Sequence, residues 1–251
     1  MDNFTISEYF TLPSQGLVYD KKVVPTVHLS SMTTRHEMQR LAPSPSQYKP
    51  MCDVIDDCLI DDIGISSYDM CSGDYQFLMF KLRIVTYGKD ITIMDTCPHC
   101  GDKSELKIDL NNLQNISNIE DFKKYSSFTL PRSGKKIVLN YQTPRMLDNI
   151  VEGVKEYSER VKTNKVDQTL VFLLKELIKT VDGHTPDPLN FEEWVRNLPM
   201  MDTNTITAYA EKMDRTIGVN TELEIKCDMC GQTHKAQFRP GPEFFRPKMD
   251  F

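Results

Sequence analysis

Two short cysteine motifs contain the residues of this chain whose types and spacing could do chemistry. The first is Cys97-Pro98-His99-Cys100-Gly101, and the second is Cys227-Asp228-Met229-Cys230-Gly231. In each motif two thiols stand three residues apart, and the glycine that follows lets the chain turn back because it has no Cβ. This spacing is typical of a metal knuckle, a turn that presents two sulfur ligands to one ion.

One knuckle supplies only two ligands, whereas a structural zinc site closes with four. Apolar and polar residues alternate on both sides of each knuckle, over 90–94 and 103–110 and again over 222–226 and 233–238. Such alternation predicts strands, so each knuckle is expected at the tip of a β-hairpin. We predict that the two hairpins meet and bind one structural zinc ion per chain through Cys97, Cys100, Cys227 and Cys230.

A dithiol oxidoreductase site is the main alternative for the first motif. Such a site needs its first cysteine exposed at a helix N-terminus, which stabilises the thiolate. The residues after Cys100 begin with Gly101 and alternate, and a redox site gives no reason for a second motif. His99 and His234 are alternative ligands, but four thiolates fill the metal shell, so both histidines are expected to be exposed hairpin residues.

A shared metal would join the middle of the chain to its end. The 126 residues between Cys100 and Cys227 form a loop whose closure costs about 5 kcal/mol of chain entropy. Structural zinc contributes about 10–16 kcal/mol in small peptides. The metal is therefore expected to act as a clasp on the fold and not as a separate finger.

Length and composition indicate a globular chain of one or two domains. The 251 residues are 39% apolar and 26% charged, and the net charge of −6 argues against broad binding to nucleic acid or anionic membranes. No apolar run approaches the roughly 20 residues that span a bilayer, and the start does not resemble a signal peptide. We expect a cytoplasmic protein with reduced thiols, in which Cys52, Cys58 and Cys71 are buried core residues.

Apolar spacing outside the hairpins predicts mainly helices. They are predicted between Thr34 and Pro43, over 48–60, 66–86, 143–162 and 166–181, and after caps at Asn190 and Thr203. A strand is predicted over 23–29, a further hairpin over 128–139 and an irregular linker over 111–124. The acidic residues of 53–62 lack a histidine or third ligand at fixed spacing, so they are interpreted as a solvated face.

These elements predict an α+β fold in which a zinc-ribbon-like pair of β-hairpins clasps a mainly helical body. We divide the chain into four regions. They are 1–88, with strands and helices; 89–142, with the first zinc hairpin, linker and second hairpin; 143–218, a helical subdomain; and 219–251, the second zinc hairpin and the C-terminal tail.

A short segment near the N-terminus recurs in the middle of the chain. Residues 10–13 and 128–131 both read Phe-Thr-Leu-Pro, and Gly16 and Gly134 follow at the same distance. Together with the two knuckles, this recurrence suggests a degenerate internal duplication, although the intervening lengths differ.

The C-terminal tail, residues 240–251, contains three prolines and cannot be regular. Its aromatic residues Phe244, Phe245 and Phe251 would be costly to leave in water. We predict that they dock onto a neighbouring subunit. The alternative is that the tail folds back onto its own zinc hairpin and completes this chain's core.

Motifs of common enzyme classes do not occur in the sequence. It has no glycine-rich phosphate loop, nucleophile elbow, HExxH motif or paired catalytic carboxylates, so no enzymatic activity is expected. Composition and spacing alone indicate a cytoplasmic α+β zinc protein with a partner-docking tail.

Several segments in order resemble the T-even-type baseplate hub family of tailed phages, whose members are hub subunits or hub-assembly proteins. The segments are 12–19, 29–35, 55–59, 73–78, 83–88 and the first knuckle. The resemblance covers roughly the first 110 residues well and continues through the second knuckle and the general layout. It implies a non-enzymatic structural or assembly protein of a contractile-tail baseplate. Its partners would be other baseplate or tail proteins, met first in the host cytoplasm and then in the virion tail, with no small-molecule substrate.

A zinc-ribbon protein that binds nucleic acid or acts in transcription is the alternative function. That function needs a basic face that carries aromatic residues. The hairpins instead carry several acidic residues beside a few lysines, namely Glu105, Asp109, Glu222, Glu224 and Asp228.

Overall fold

The structure is a computed structural model that describes residues 6–161, 166–240 and 242–245. These residues form eight α-helices and eleven β-strands, and the strands pair antiparallel in five small sheets. The predicted α+β class is therefore confirmed. Among the described helices, none has the length and apolar character that a membrane span requires.

The first part of the chain folds as a strand pair, three helices and a hairpin. In order, its elements are β1 (Ser7–Thr11), β2 (Thr26–Ser30), α1 (Thr34–Arg40), α2 (Lys49–Cys58), α3 (Ser72–Tyr87), β3 (Asp90–Thr96) and β4 (Lys103–Asp109). β1 pairs with β2, and β3 pairs with β4.

The second part repeats strands, helices and a hairpin after a short connection. The connection contains β5 (Asn115–Ser117) and α4 (Ile119–Tyr125). The remaining elements are β6 (Ser127–Thr129), β7 (Lys136–Leu139), α5 (Pro144–Arg160), α6 (Thr169–Leu177), β8 (Ile178–Val181), α7 (Pro188–Arg196), α8 (Met200–Asp214), β9 (Ile217–Val219), β10 (Glu222–Lys226) and β11 (Thr233–Gln237). β6, β7 and β8 form one sheet, and β10 pairs with β11.

Local signals place several elements as predicted. α5 begins with Pro144 after Thr143, whose hydroxyl accepts a hydrogen bond from the Met146 N–H at 3.0 Å. The hairpin predicted over 128–139 is formed by β6 and β7. α1 (Thr34–Arg40) lies within the helix predicted between Thr34 and Pro43, and the N–H of its N-cap, Thr33, donates to His36 Nδ1. The strand predicted over 23–29 lies at Thr26–Ser30.

Residues 111–124 are not the irregular linker that we predicted. They contain β5 and α4, and Asn118 caps α4 by accepting a hydrogen bond from the Asp121 N–H. β5 pairs with β9 from the far end of the chain. The prediction was wrong because a three-residue strand is defined by its partner, which a local pattern does not reveal.

Four predicted helix boundaries also need correction. α3 begins at Ser72 and not at residue 66, because Ser67–Asp69 forms a 3₁₀ turn, in which the Ser67 N–H donates to the Asp56 carboxylate. α6 ends at Leu177, since the next residue pairs with β7 as the start of β8. α7 is capped by Asp187 and not Asn190, and α8 starts at Met200, three residues before the predicted cap.

Buried side chains form two hydrophobic clusters. In the first cluster, α2 and α3 pack against β1, β2 and the inner faces of both knuckle hairpins. The second cluster is built by α5, α6 and α8 against the sheet of β6, β7 and β8. Cys52, Cys58 and Cys71 are buried free thiols, as predicted. Both knuckle hairpins therefore pack on the first hydrophobic cluster.

Candidate metal centre

Each knuckle is a tight turn at the tip of a strand pair. Beyond β3, the Cys97 N–H donates to the Asp102 carbonyl and the Gly101 N–H donates to the Cys97 carbonyl, both at 2.9 Å. Beyond β10, Cys227 makes the same two bonds at 2.9 Å, with the Gln232 carbonyl and the Gly231 N–H. The two glycines have positive φ values of 75° and 71°, a conformation that side chains disfavour, which explains their place after the second cysteine.

The structure brings the four predicted ligand residues together. Cys97 Sγ lies 3.7 Å from Cys230 Sγ, and Cys100 Sγ lies 3.7 Å from Cys227 Sγ. All four sulfurs lie within 4.8 Å of one another. Sulfurs bound to one zinc ion at about 2.3 Å in a tetrahedron are about 3.8 Å apart, so the cluster has the size of a four-thiolate site. The 3.7 Å distances are far longer than a disulfide bond of about 2.05 Å.

The sulfur cluster lies at the protein surface, with two of its thiols buried and two exposed. Cys97 and Cys227 are buried, whereas Cys100 and Cys230 are exposed. The first thiol of each knuckle thus faces the protein, and the second faces solvent. A bound ion would be screened by protein on one side and reachable by chelators on the other.

Close packing separates the pKa values of Cys97, Cys100 and Cys230. Burial opposes ionisation of Cys97, but the backbone of Cys100 and His99 and the adjacent thiols lower its pKa to about 6. The backbone of Asp102 favours the Cys100 thiolate, yet burial and hydrogen bonds with the other thiols raise its pKa to about 12. The pKa of Cys230 is raised as well. A soft dication would stabilise the thiolate form of all four cysteines.

His234 is not the exposed hairpin residue that we predicted. Its side chain is buried, and Nε2 lies 3.0 Å from Asp95 Oδ2 of the other hairpin. The alternation around each knuckle could have revealed this pair, since both residues occupy inward positions of their strands. His99 is exposed, as predicted, and neither histidine belongs to the sulfur cluster.

The geometry gives little support to the dithiol oxidoreductase alternative. Cys97 is followed by a turn and by β4, not by a helix whose N-terminus would stabilise its thiolate. Cys97 Sγ lies 3.7 Å from Cys230 Sγ of the other knuckle. The second knuckle is therefore part of the same site.

Among the acidic residues of 53–62, Asp57, Asp61 and Asp62 are exposed, as the solvated-face interpretation expects, whereas Asp53 and Asp56 have structural partners. Asp53 pairs with Lys49 one turn earlier, and Asp56 accepts hydrogen bonds from Ser66 and Ser67. The described residues contain one group of potential metal ligands, the four cysteines, and these acidic residues are not part of it.

Two of the three tail aromatics lie in this chain's own core. Phe244 is 2% exposed, and its ring centroid lies 5.2 Å from that of Phe80 on α3. Phe245 is 6% exposed and packs edge-to-face against Phe244. This placement matches the alternative in which the tail completes its own fold. Phe251 lies outside the described residues, so docking through it stays a prediction.

Comparison with known proteins adds one finding. A family model described as T4 bacteriophage base plate protein matches residues 9–246. Neither the curated proteins nor the solved structures contain a match to this chain. The matched range includes both knuckles and both hydrophobic clusters.

Proposed function

The chain belongs to the T4 bacteriophage base plate protein family, and we propose that it is a structural or assembly component of the hub region of a contractile-tail baseplate. Its partners are other baseplate or tail proteins, met in the host cytoplasm during assembly. One structural zinc ion per chain stabilises its fold.

The observation that carries this proposal is the extent of the family match. It covers residues 9–246, and so it includes the segments that resemble hub proteins as well as the two knuckles. A match limited to one knuckle would reflect a metal turn that many unrelated proteins contain. The hub assignment itself rests on the order of the N-terminal segments.

The zinc assignment rests on the donor set. Four thiolates select a soft ion, and zinc in tetrahedral coordination fits the observed sulfur spacing. Each hairpin presents two ligands, so the pair resembles a zinc ribbon whose two halves are far apart in sequence. Cys97 and Cys100 alone would leave two positions of the ion open, and the second hairpin closes them.

The buried acidic groups support a structural role in preference to catalysis. Asp148 accepts hydrogen bonds from the N–H groups of Gln47, Tyr48 and Lys49 and from the Tyr68 hydroxyl, which ties α5 to the start of α2. Asp74 and Asp202 accept hydrogen bonds from loop N–H groups in the same way. Each carboxylate is thus used to hold chain segments together.

Electron cryo-microscopy of intact tails of the phage that encodes this chain tests the proposal. We expect the fold at the centre of the baseplate, with one metal density between the two knuckles. Density at the baseplate periphery would overturn the hub assignment, and a location in the capsid or in no tail structure would overturn the baseplate role. Deletion of the gene should yield particles that lack a complete baseplate.

A nucleic-acid titration tests the alternative zinc-ribbon function. On the second hairpin, Lys235 pairs with Glu222, and Glu224 adds a further acidic group, so this face offers little positive charge. We expect no binding to duplex or single-stranded nucleic acid at low salt. Tight binding that falls steeply with salt would instead support the nucleic-acid function.

A further inference from the structure

We propose that residues 7–109 and 127–237 are two copies of one folding unit and that the four-cysteine site forms where the two copies meet, with two thiols from each. The two copies share the order of strand pair, helices and knuckle hairpin. The two units also correspond in their strand register, turns and helix packing.

The strand pairs of the two units have the same register. In the first unit, Phe10 lies opposite Val27 and Thr11 opposite Thr26. In the second unit, the corresponding pairs are Phe128 with Ile137 and Thr129 with Lys136. The inward residues of β2, Val27 and Leu29, are buried like their counterparts on β7, Ile137 and Leu139.

The turns that follow β1 and β6 also correspond. Leu12 and Leu130 are both 1% exposed, and their N–H groups donate to the Pro25 and Lys135 carbonyls at 2.8 and 2.9 Å. Each turn ends with a glycine in the left-handed region, with φ of 72° at Gly16 and 67° in the second unit. The two Phe-Thr-Leu-Pro segments therefore share a conformation as well as a sequence.

Each turn is anchored on a buried aspartate in the third position of a long helix. Ser14 N–H donates to Asp74 Oδ1 of α3 at 3.0 Å. Arg132 N–H, at the equivalent turn position, donates to Asp202 Oδ1 of α8 at 2.8 Å. Both aspartates are 0% exposed. A metal site does not require this arrangement, so independent origin of two knuckles would not explain it.

The helices between strand pair and anchor correspond as well. α1 packs on α2 as α5 packs on α6, and α2 packs on α3 as α6 packs on α8. Leu59, directly after α2, pairs with Leu29, just as Ile178, directly after α6, pairs with Leu139. Ser30, the last residue of β2, and Asn140, the residue after β7, donate from their side chains to carbonyls in the last two residues of α2 and α6, respectively.

In the sequence, each knuckle follows its anchoring aspartate after nearly the same number of residues. Cys97 comes 23 residues after Asp74, and Cys227 comes 25 residues after Asp202. The first cysteine of each knuckle lies opposite the second cysteine of the other, at 3.7 Å in both pairs. This reciprocal pairing is what a local twofold axis through the site would give. One unit offers two thiols, so it needs the other unit to close a tetrahedral site.

One of the differences between the units allows a test. Ser14 also donates its hydroxyl to the second carboxylate oxygen of Asp74, whereas its counterpart Arg132 is exposed and has no hydroxyl. In the full chain, Arg132→Ser should add a hydroxyl bond to Asp202, whose Oδ2 already accepts the Ser133 N–H at 2.9 Å, and Arg132→Ala is the matched control without the hydroxyl. We expect Arg132→Ser to melt about 2–4 °C above Arg132→Ala, the shift of one hydrogen bond in a chain of this size.

Two further measurements complete the test. In an Asp202→Asn background the difference should shrink, because the amide group removes one acceptor oxygen. A crystal structure of the Arg132→Ser chain should show the introduced hydroxyl on Asp202, and β1, β2, α2 and α3 should superpose as one rigid group on β6, β7, α6 and α8. The duplication would be overturned if Arg132→Ser and Arg132→Ala melted at the same temperature and the introduced hydroxyl pointed away from Asp202. It would also be overturned if the strands and helices of the two units superposed only when each was rotated separately.

Discussion

His234 Nε2 lies 3.0 Å from Asp95 Oδ2, and this hydrogen bond joins the two knuckle hairpins beneath the sulfur cluster. The side chains are 7% and 10% exposed. A bond between buried polar groups matters most when one partner is removed, because the other is left without its hydrogen bond. The hairpins are thus held by a polar contact as well as by the thiols.

We therefore expect Asp95→Ala and His234→Ala each to lower the free energy of unfolding by about 1–3 kcal/mol, measured by chemical denaturation. The double variant should cost less than the sum of the two single variants, because both single variants break the same bond. Metal content should stay at one ion per chain, since neither residue belongs to the cluster. Strict additivity would contradict the pairing.

Zinc content gives the second prediction. The chain purified without chelator should contain one zinc ion, and both Cys97→Ser/Cys100→Ser and Cys227→Ser/Cys230→Ser should lose it. A structural zinc contributes about 10 kcal/mol or more, comparable with a typical total stability of about 5–15 kcal/mol, so both variants should become protease-sensitive. Cys52→Ala is the control, because Cys52 is buried outside the cluster. Zinc retained by either double variant would show that the four thiols do not form one site.

The third prediction concerns pH and the two anchoring aspartates. Burial acts to raise the pKa of Asp202, but hydrogen bonds from Arg132 and Ser133 lower it overall. A lowered pKa stabilises the fold above the unfolded value of about 3.9, and this contribution is lost as pH falls through the folded pKa. The stability difference between the native chain and Asp202→Asn should therefore be largest near neutral pH and shrink below about pH 4.

Asp74 provides the matched comparison for that measurement. Burial is the largest influence and raises its pKa despite hydrogen bonds from Ser14 and Tyr19. Folding then favours the protonated form, so the native chain should gain stability relative to Asp74→Asn as pH falls through the raised pKa. Denaturation curves between pH 3 and 7 would measure both trends. The same pH trend for both aspartates would contradict the opposite pKa shifts of Asp74 and Asp202.

Gly73 carries the fourth prediction. A Cβ on this second residue of α3 would lie 2.2 Å from the Ile217 carbonyl oxygen of β9, a backbone atom that cannot move freely. We expect Gly73→Ala to lower the free energy of unfolding by about 2 kcal/mol or more. Gly153→Ala is the control, because its Cβ would meet the Phe172 ring, which can move aside, and alanine favours the helix by about 1 kcal/mol. Equal losses in both variants would contradict the close approach of α3 and β9.

The sequence predicts the four-cysteine cluster well because the information for each knuckle is local. Cys97 and Cys100 are fixed by a turn of six residues and by strand alternation on both sides, and the same holds for the second knuckle. The α+β class follows in the same way from periodicity and caps such as Thr143. The meeting of the two knuckles was inferred from the number of ligands that zinc needs and not from any residue between them.

The remainder was not predictable because it depends on contacts distant in the chain. β5 exists through β9, and α6 ends at Leu177 because Ile178 pairs with Leu139. Strand alternation puts His234 at an inward position, but its partner Asp95 belongs to the other hairpin, and His234 was placed in solvent only because four thiolates fill the metal shell. Asp74 and Asp202 were missed as anchors, since an isolated acidic residue in a helix gives no sequence signal of burial.

The last prediction separates the two parts of the C-terminal tail. Phe244 packs on Phe80 and is almost fully buried, so Phe244→Ala should cost about 3–5 kcal/mol in the isolated chain. Removal of residues 246–251, which include Phe251, should leave melting temperature and zinc content nearly unchanged but reduce incorporation into baseplates, if Phe251 docks on a neighbour. Phe251→Ala should reproduce that loss, whereas Lys248→Ala should not. A truncated chain that melts as low as Phe244→Ala while assembly stays intact would show that the end of the tail serves its own fold.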